Sequence, residues 1–186
     1  MKVLALGGSG GMGRFSSFAI SNYPNISKVT IADLNEAKAI EFSNHFDDRF
    51  TGIGLDVTNK EHLEKVMSDH DVVLNTTGPF FKFGLPILKS AIKCKCHYFD
   101  ICDDWEPTEE MLKLNDEALK NDITAIVGLG ASPGISNLLG LKAMNELDET
   151  ESIITGWDVS SAKPEDESSQ KGTNLSLIHI SEPTRR

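Results

Sequence analysis

The sequence predicts an α/β fold, an open and doubly wound parallel sheet with helices on both faces. Three observations predict it. Short apolar runs alternate with helix-like segments from the first residues to about residue 150. The first run, Val3-Leu4-Ala5-Leu6, meets the glycine-rich turn Gly7-Gly8-Ser9-Gly10-Gly11-Met12-Gly13. Each later run ends in glycine, a small hydroxyl or a carboxylate, the residues that suit a ligand-bearing strand end.

The elements follow in order. Val3–Leu6 is the first strand, and a helix-like segment runs from Arg14 to Ser21. Lys28–Ala32 is the second strand, ending at Asp33. Asn35 is placed to cap a helix over Glu36–His45. Thr51–Leu55 is the third strand, followed by Asp56 and a helix from Lys60 to Ser68 with Thr58 or Asn59 as its cap. Val72–Leu74 is the fourth strand and leads into Asn75-Thr76-Thr77-Gly78-Pro79. Gly84–Lys93 reads as a helix, because a proline at position 86 is tolerated only in a first turn. His97–Ile101 is the fifth strand. Thr108–Asn121 reads as one amphipathic helix, capped near Pro107, and Ile123–Val127 as the sixth strand. A loop from Gly128 to Gly134 then opens a helix over Ile135–Leu147, and Ser152–Ile154 begins another strand.

This order gives a domain over residues 1–150 and the start of a second over 151–174. Lys163–Gly172 is polar and aperiodic, as in a linker. Leu175–Arg185 (LSLIHISEPTR) resembles the conceptual translation of a transposase sequencing adapter. Residues 175–186 are therefore expected to be a non-native tail, with the natural frame ending near Asn174 and the second domain truncated.

Bulk properties narrow the function. The net charge of −10 and the lack of a basic cluster argue against a nucleic-acid partner. No run of about eighteen apolar residues suits a membrane span, and Val3–Leu6 is too short for a signal peptide. Three cysteines, Cys94, Cys96 and Cys102, fit free thiols in a cytoplasmic protein. Cys94-x-Cys96 beside His97 lacks the spacing of a zinc site and a second ligand pair, so no metal is expected.

The chemistry begins at Gly8-x-Gly10-x-x-Gly13. A strand, a glycine turn and a helix N-terminus make an anion site, because bare N–H groups and the positive helix end converge there. Gly8 is assigned the tight turn, Gly10 the close approach of a pyrophosphate, and Gly13 the packing of helix on strand. Ser9, Gly11 and Met12 complete the turn. Asp33 falls twenty positions beyond Gly13, where a carboxylate reaches adenosine ribose hydroxyls. No arginine follows it, only Leu34 and Asn35, so NAD is favoured over NADP; a capping role for Asp33 is compatible with this. Asp56-Val57 lies where an adenine would sit, and Asp56 either accepts from the adenine amino group or caps the next helix. Asn75, Thr76, Thr77 and Gly78 either border the middle of the cofactor or form an ordinary turn before Pro79. By position alone Gly10, Asp33, Asp56, Asn75, Asp100 and Ser132 share one sheet edge. Tyr98, Asp100 and Asp103 are candidates for acid–base work. Strand alternation puts Tyr98 and Asp100 on one face, and neighbouring carboxylates shift one another's pKa. Asp104 and Trp105 extend this cluster. Pro133-Gly134 opens a helix whose N–H groups are available to a substrate carboxylate.

Four blocks together resemble the saccharopine dehydrogenase-like family: GGSGGMG at Gly7–Gly13, DVVLNTTGPF at Asp71–Phe80, HYFDICDD at His97–Asp104 and GASPGISNLL at Gly130–Leu139. The resemblance implies a Rossmann-type NAD(P)-binding domain followed by an inserted α/β domain that binds substrate and mediates a homodimer. It implies an oxidoreductase that moves hydride between a nicotinamide and a C–N bond of an amino-acid-like substrate, through an imine. Carried over by position, Gly8, Gly10, Gly13 and Asp33 hold NAD(P), Asn75–Gly78 border it, and Tyr98 and Asp100 lie beside the substrate. Some saccharopine reductases have an aspartate directly before the Pro-Gly pair, where this chain has Ser132. The fragment itself is expected to be inactive. A non-catalytic dinucleotide sensor is the alternative. A short-chain-type reductase is disfavoured, since Tyr-x-x-x-Lys does not occur.

Overall fold

The computed structural model describes residues 1–156. The chain divides into two units, Met1–Thr150 and Glu151–Arg186. In the first, β1 (Lys2–Leu6), β2 (Lys28–Asp33), β3 (Phe50–Gly54), β4 (Val72–Asn75), β5 (His97–Asp100) and β6 (Ala125–Ile126) form one sheet in the order β3-β2-β1-β4-β5-β6. Every pairing is parallel. The order reverses between β1 and β4, so the carboxyl ends of these two strands flank the switch point where open α/β sheets take their ligands. This is a Rossmann-type fold.

Alternation along the strands sorts the core onto two faces. Val3, Val29, Ile31 and Val72 meet Ala39 and Phe42 of α2 (Glu36–Ser43) on one face. Leu4, Leu6, Val73 and Tyr98 meet the other helices on the second: α3 (Lys60–Met67), α4 (Phe80–Cys94), α5 (Trp105–Leu112) and α6 (Asn115–Lys120). Helix α1 (Gly11–Ser21) joins the α2 side, where Phe18 lies 5.7 Å edge-on to Phe42. Glycine makes one of these contacts possible: a Cβ on Gly52 would overlap the Ala39 and Ile40 backbone of α2. Asn35 caps α2 by accepting from Lys38 N at 3.1 Å, and Asn59 rather than Thr58 caps α3.

Several boundaries differ from expectation. Helix α1 starts at Gly11 and not Arg14, since the glycine turn feeds straight into it. Helix α4 starts at Phe80 and not Gly84, so Pro86 is its seventh residue. One lost N–H is outweighed by the apolar face of Phe80, Gly84, Ile87, Leu88 and Ala91, all buried. The expected single helix Thr108–Asn121 is two. Helix α5 begins earlier, at Trp105 after Asp104, because Pro107 fits its first turn. A turn at Lys113-Leu114 then lets Met111, Leu114 and Ala118 all reach the core.

The last helix, α7 (Ile135–Met144), buries none of its residues; Ile135, Leu138, Leu139 and Leu141 are all exposed. Of the second unit, Glu151–Gly156 are described. The strand expected at Ser152–Ile154 is absent there: no partner strand pairs with it among the described residues, and Ile154 is 92% exposed. The linker at Lys163–Gly172 and the tail at 175–186 lie outside the described residues.

Candidate dinucleotide site

The site is built where β1 runs into α1. Gly7 takes the left-handed conformation (φ +68°), so the residue that makes the turn is Gly7 and not Gly8. Gly8 is required for a different reason, as a Cβ there would come 2.9 Å from Ala5 O and 3.1 Å from Ile31. At Gly13 a Cβ would overlap Gly7 O and come 2.6 Å from Gly8 Cα, so the helix lies directly on the turn, as expected. The outer positions are different. Among the described residues a Cβ on Gly10 would meet only Gly7 O, at 3.2 Å, and on Gly11 nothing within 4 Å. The protein packs against the inner glycines and leaves the outer ones open.

The N–H groups above this opening are free. Gly10 N bonds to Gly7 O at 3.0 Å and Arg14 N to Gly10 O at 2.9 Å. Among the described residues no acceptor meets the N–H of Gly11, Met12 or Gly13, and no side chain caps α1. Free amides, a helix N-terminus and empty space over glycine fit a diphosphate. The other candidate anion site is closed. At the start of α7, Gly134 N bonds to Asn137 Oδ1, Ile135 N to Gly130 O and Ser136 N to Ala131 O, each within 3.1 Å. The helix that follows Pro133-Gly134 therefore offers no free amides at these positions to a substrate carboxylate, and Ser132 simply lies exposed, accepting from Ser136 Oγ.

Asp33 ends β2 beside the turn. Its Oδ2 accepts from Ser9 Oγ at 2.6 Å and its Oδ1 from Asn35 N at 3.2 Å. The carboxylate is thus tied to the glycine turn through Ser9, and each oxygen has one such bond among the described residues. Leu34 beside it is 77% exposed. Asp56 is exposed and closes a turn on Thr58, accepting from its N and Oγ1 at 2.8 and 2.7 Å. These bonds hold its carboxyl below the ordinary carboxylate value. It does not cap α3, which Asn59 does, while Val57 is half-buried and packs on the core.

Across the switch point, the residues after β4 are bolted to the turn. Thr76 N donates to Leu6 O at 2.9 Å, and Thr76 Oγ1 reaches Leu6 O and Gly7 O at 2.8 and 3.1 Å. Among the described residues Thr77 Oγ1 is buried with no hydrogen-bond partner, 3.1 Å from where a Gly7 Cβ would stand. Gly78 is exposed, with nothing among the described residues within 4 Å of a Cβ. Asn75 is wholly buried and does not border the crevice: its Oδ1 accepts from Thr77 N and its Nδ2 donates to Tyr98 Oη, both at 3.0 Å.

Tyr98 and Asp100 do share one face, as alternation requires, but that face is the interior. Both are 0% exposed. Tyr98 Oη donates to Asp100 Oδ2 at 2.8 Å, and Asp100 Oδ1 accepts from Gly128 N and Cys102 N at 2.8 and 3.1 Å. Burial, then the Asp100 charge, hold the Tyr98 phenol well above its ordinary value, so it stays protonated. Burial likewise lifts Asp100, against the pull of the two backbone N–H groups. With no solvent-facing atom, neither residue meets a substrate in this arrangement, which corrects the expectation placed on them. Of the three candidates only Asp103 is exposed; Asp104 accepts from Phe81 N at the start of α4. Residue type and spacing mark Tyr98 and Asp100 as reactive but do not reveal that the same alternation buries them.

No group of three or more His, Cys, Asp or Glu among the described residues is arranged for a metal ion, and Cys96 and Cys102 are buried. No helix there is long and apolar enough to cross a membrane.

Residues 3–126 match the saccharopine dehydrogenase NADP-binding domain. The chain belongs to the saccharopine dehydrogenase family. Within that family, saccharopine dehydrogenase [NADP(+), L-glutamate-forming] of Saccharomyces cerevisiae is 33% identical over 95 residues, covering 51% of this chain and 20% of the yeast protein. The Schizosaccharomyces pombe enzyme of the same name is 28% identical over 119 residues, 64% of this chain and 25% of its own. The solved apo saccharopine dehydrogenase (L-Glu forming) from S. cerevisiae superposes with a TM-score of 0.67 at 29% identity, covering 78% of this chain and 31% of that one. This family member therefore spans about a quarter of the length of the curated relatives it matches.

Proposed function

We propose that this chain is the dinucleotide-binding part of an NAD(P)-dependent oxidoreductase acting on a C–N bond of an amino-acid- or imine-derived substrate. The observation that carries the reading is the open amide cradle over Gly10 and Gly11 in a domain of the saccharopine dehydrogenase family. The Gly8–Gly13 turn would take the diphosphate, Asp33 the adenosine ribose, and Thr76–Gly78 the far side of the switch point. When bound, the nicotinamide supplies the acceptor or donor of hydride. The two S. cerevisiae and S. pombe relatives carry NADP(+) in their names. Asp33, a carboxylate at the end of β2 with no arginine after it, supports NAD in this reading. The whole protein is proposed to work in the cytoplasm as a homodimer. Calorimetric titration of this chain with NAD and NADP tests the cofactor. Turnover of a panel of amino acids by the full-length protein, followed by reduced-nicotinamide absorbance, tests the reaction.

A second reading is a non-catalytic dinucleotide sensor. It is favoured by one observation: Tyr98 and Asp100, the candidate acid–base pair, are sealed in the core. Binding without turnover across the panel would select it.

A further inference from the structure

A run of hydrogen bonds connects the loops after β4, β5 and β6, and all its donors point one way. Thr77 N donates to Asn75 Oδ1, Asn75 Nδ2 to Tyr98 Oη, and Tyr98 Oη to Asp100 Oδ2. The direction is fixed at both ends. A backbone N–H can only donate, so Asn75 must turn its oxygen to Thr77 and its NH₂ to Tyr98. At the far end Gly128 N and Cys102 N both donate to Oδ1, and an ionised Asp100 has only acceptors, so its Oδ2 takes the Tyr98 proton. Leu129 N adds a bond to Asp100 O at 2.7 Å. A carboxylate is the side chain that serves as this terminal acceptor.

The place of the run matters. Asp33 is on the β2 side of the glycine turn, so a dinucleotide with its adenosine there extends its other half over β4, β5 and β6. The Thr76–Gly78 and Gly128–Gly134 loops belong to that half; Asp100 bonds Gly128 N of the second directly and reaches Thr77 N of the first through Tyr98 and Asn75. We propose that Asp100 is a positioning residue for the nicotinamide half of the cofactor, acting through Tyr98 and Asn75 on the Thr77 backbone and through Gly128 on the last loop. The inference rests on the dinucleotide reading above.

Asp100→Asn is the informative change. Its oxygen is claimed by the two backbone N–H groups, which turns the NH₂ toward Tyr98. The phenol then sits between two NH₂ groups and its proton has no acceptor. If Asn75 flips to accept it, the Asn75 NH₂ faces Thr77 N–H. Either way the mismatch lies in the β4 loop or beside it, more than one strand away from Asp33. Tyr98→Phe cuts the same run while leaving Asp100 on Gly128 and Cys102, and guards against a variant that fails to fold.

The test is titration of this chain and both variants with NAD and with ADP-ribose, which lacks the nicotinamide. NAD is to bind about tenfold more weakly in each variant while ADP-ribose affinity holds within about twofold. Parallel losses for both ligands, or no change for NAD, overturn the proposal. If the unaltered chain binds neither ligand, the dinucleotide reading falls and this proposal with it; if it binds both and the variants do not split them, only this proposal falls.

Discussion

Ser9 Oγ lies 2.6 Å from Asp33 Oδ2, so the glycine turn holds the acid at the end of the neighbouring strand. Ser9 engages one carboxylate oxygen and Asn35 N the other, fixing its plane at the mouth of the site. Asp33→Ala is expected to weaken NAD about ten- to hundredfold, the scale of hydrogen bonds to a charged group, and to weaken NADP less. Ser9→Ala, which frees the carboxylate without removing it, is expected to cost NAD a smaller factor. Calorimetry with both dinucleotides checks this. An equal loss of NAD and NADP in Asp33→Ala would reduce Asp33 to a turn residue.

The glycines separate into two groups that substitution distinguishes. A Cβ on Gly10 would meet only Gly7 O, at 3.2 Å, a contact relieved by a shift of a few tenths of an ångström, so Gly10→Asp should lower the melting temperature only slightly while abolishing dinucleotide binding, through bulk and like charge in the cradle. Gly13→Ala forces a Cβ into the Gly7-Gly8 backbone and should destabilise the fold by about 1–3 kcal/mol or more, as overpacking does. Thermal denaturation and titration of the two variants give opposite patterns if this division is right.

What the sequence made legible was whatever depends on local pattern. The alternation of runs, the Asn35 cap and the glycine turn feeding α1 follow from periodicity and residue type, and all three are present. Long-range packing decided the rest. Pro86 argues locally for a late helix start, yet burial of Phe80 and Gly84 carries α4 past it. Tyr98 and Asp100 read as acid–base candidates on one strand face because their burial depends on α4 and α5 covering that face of the sheet. The Thr76 bonds to Leu6 and Gly7 join positions about seventy residues apart, and only the Thr-Thr-Gly at the end of an apolar run hinted at them.

Thiol reactivity offers a check on the second core face. Burial pushes the Cys96 thiol up to about 11 and raises those of Cys102 and Cys94 as well. Cys96 Sγ lies against Met67 O and His70 O, while Cys94 is half-buried at the surface of α4. In the folded chain a colorimetric disulfide reagent near neutral pH should label Cys94 first and Cys96 and Cys102 only slowly, since the thiolate is the reactive form. Unfolding in denaturant should release all three. Fast labelling of Cys96 in the folded state would contradict its packing.

His70 is expected to make the stability pH-dependent near neutrality. It is buried beneath β2, with Nδ1 on Val66 O and Nε2 on Thr30 Oγ1, both at 2.8 Å. A carbonyl oxygen only accepts, so Nδ1 carries the proton and Nε2 takes the Thr30 hydroxyl. Burial, the largest effect, lowers its pKa from the ordinary 6.5; Lys28 and Lys2 push the same way, and the Val66 bond and Asp69 oppose them. The unfolded chain takes up a proton near 6.5 while the folded chain resists it, so the stability His70 contributes is present above 6.5 and is lost as the pH falls through the lower folded value. The melting temperature should therefore drop between about pH 7 and about pH 5.5, before the carboxylates titrate. His70→Gln, which can accept from Thr30 but cannot charge, should cost about 1 kcal/mol at neutral pH and flatten that slope. If the variant and the parent lose stability in parallel across this window, His70 is not its source.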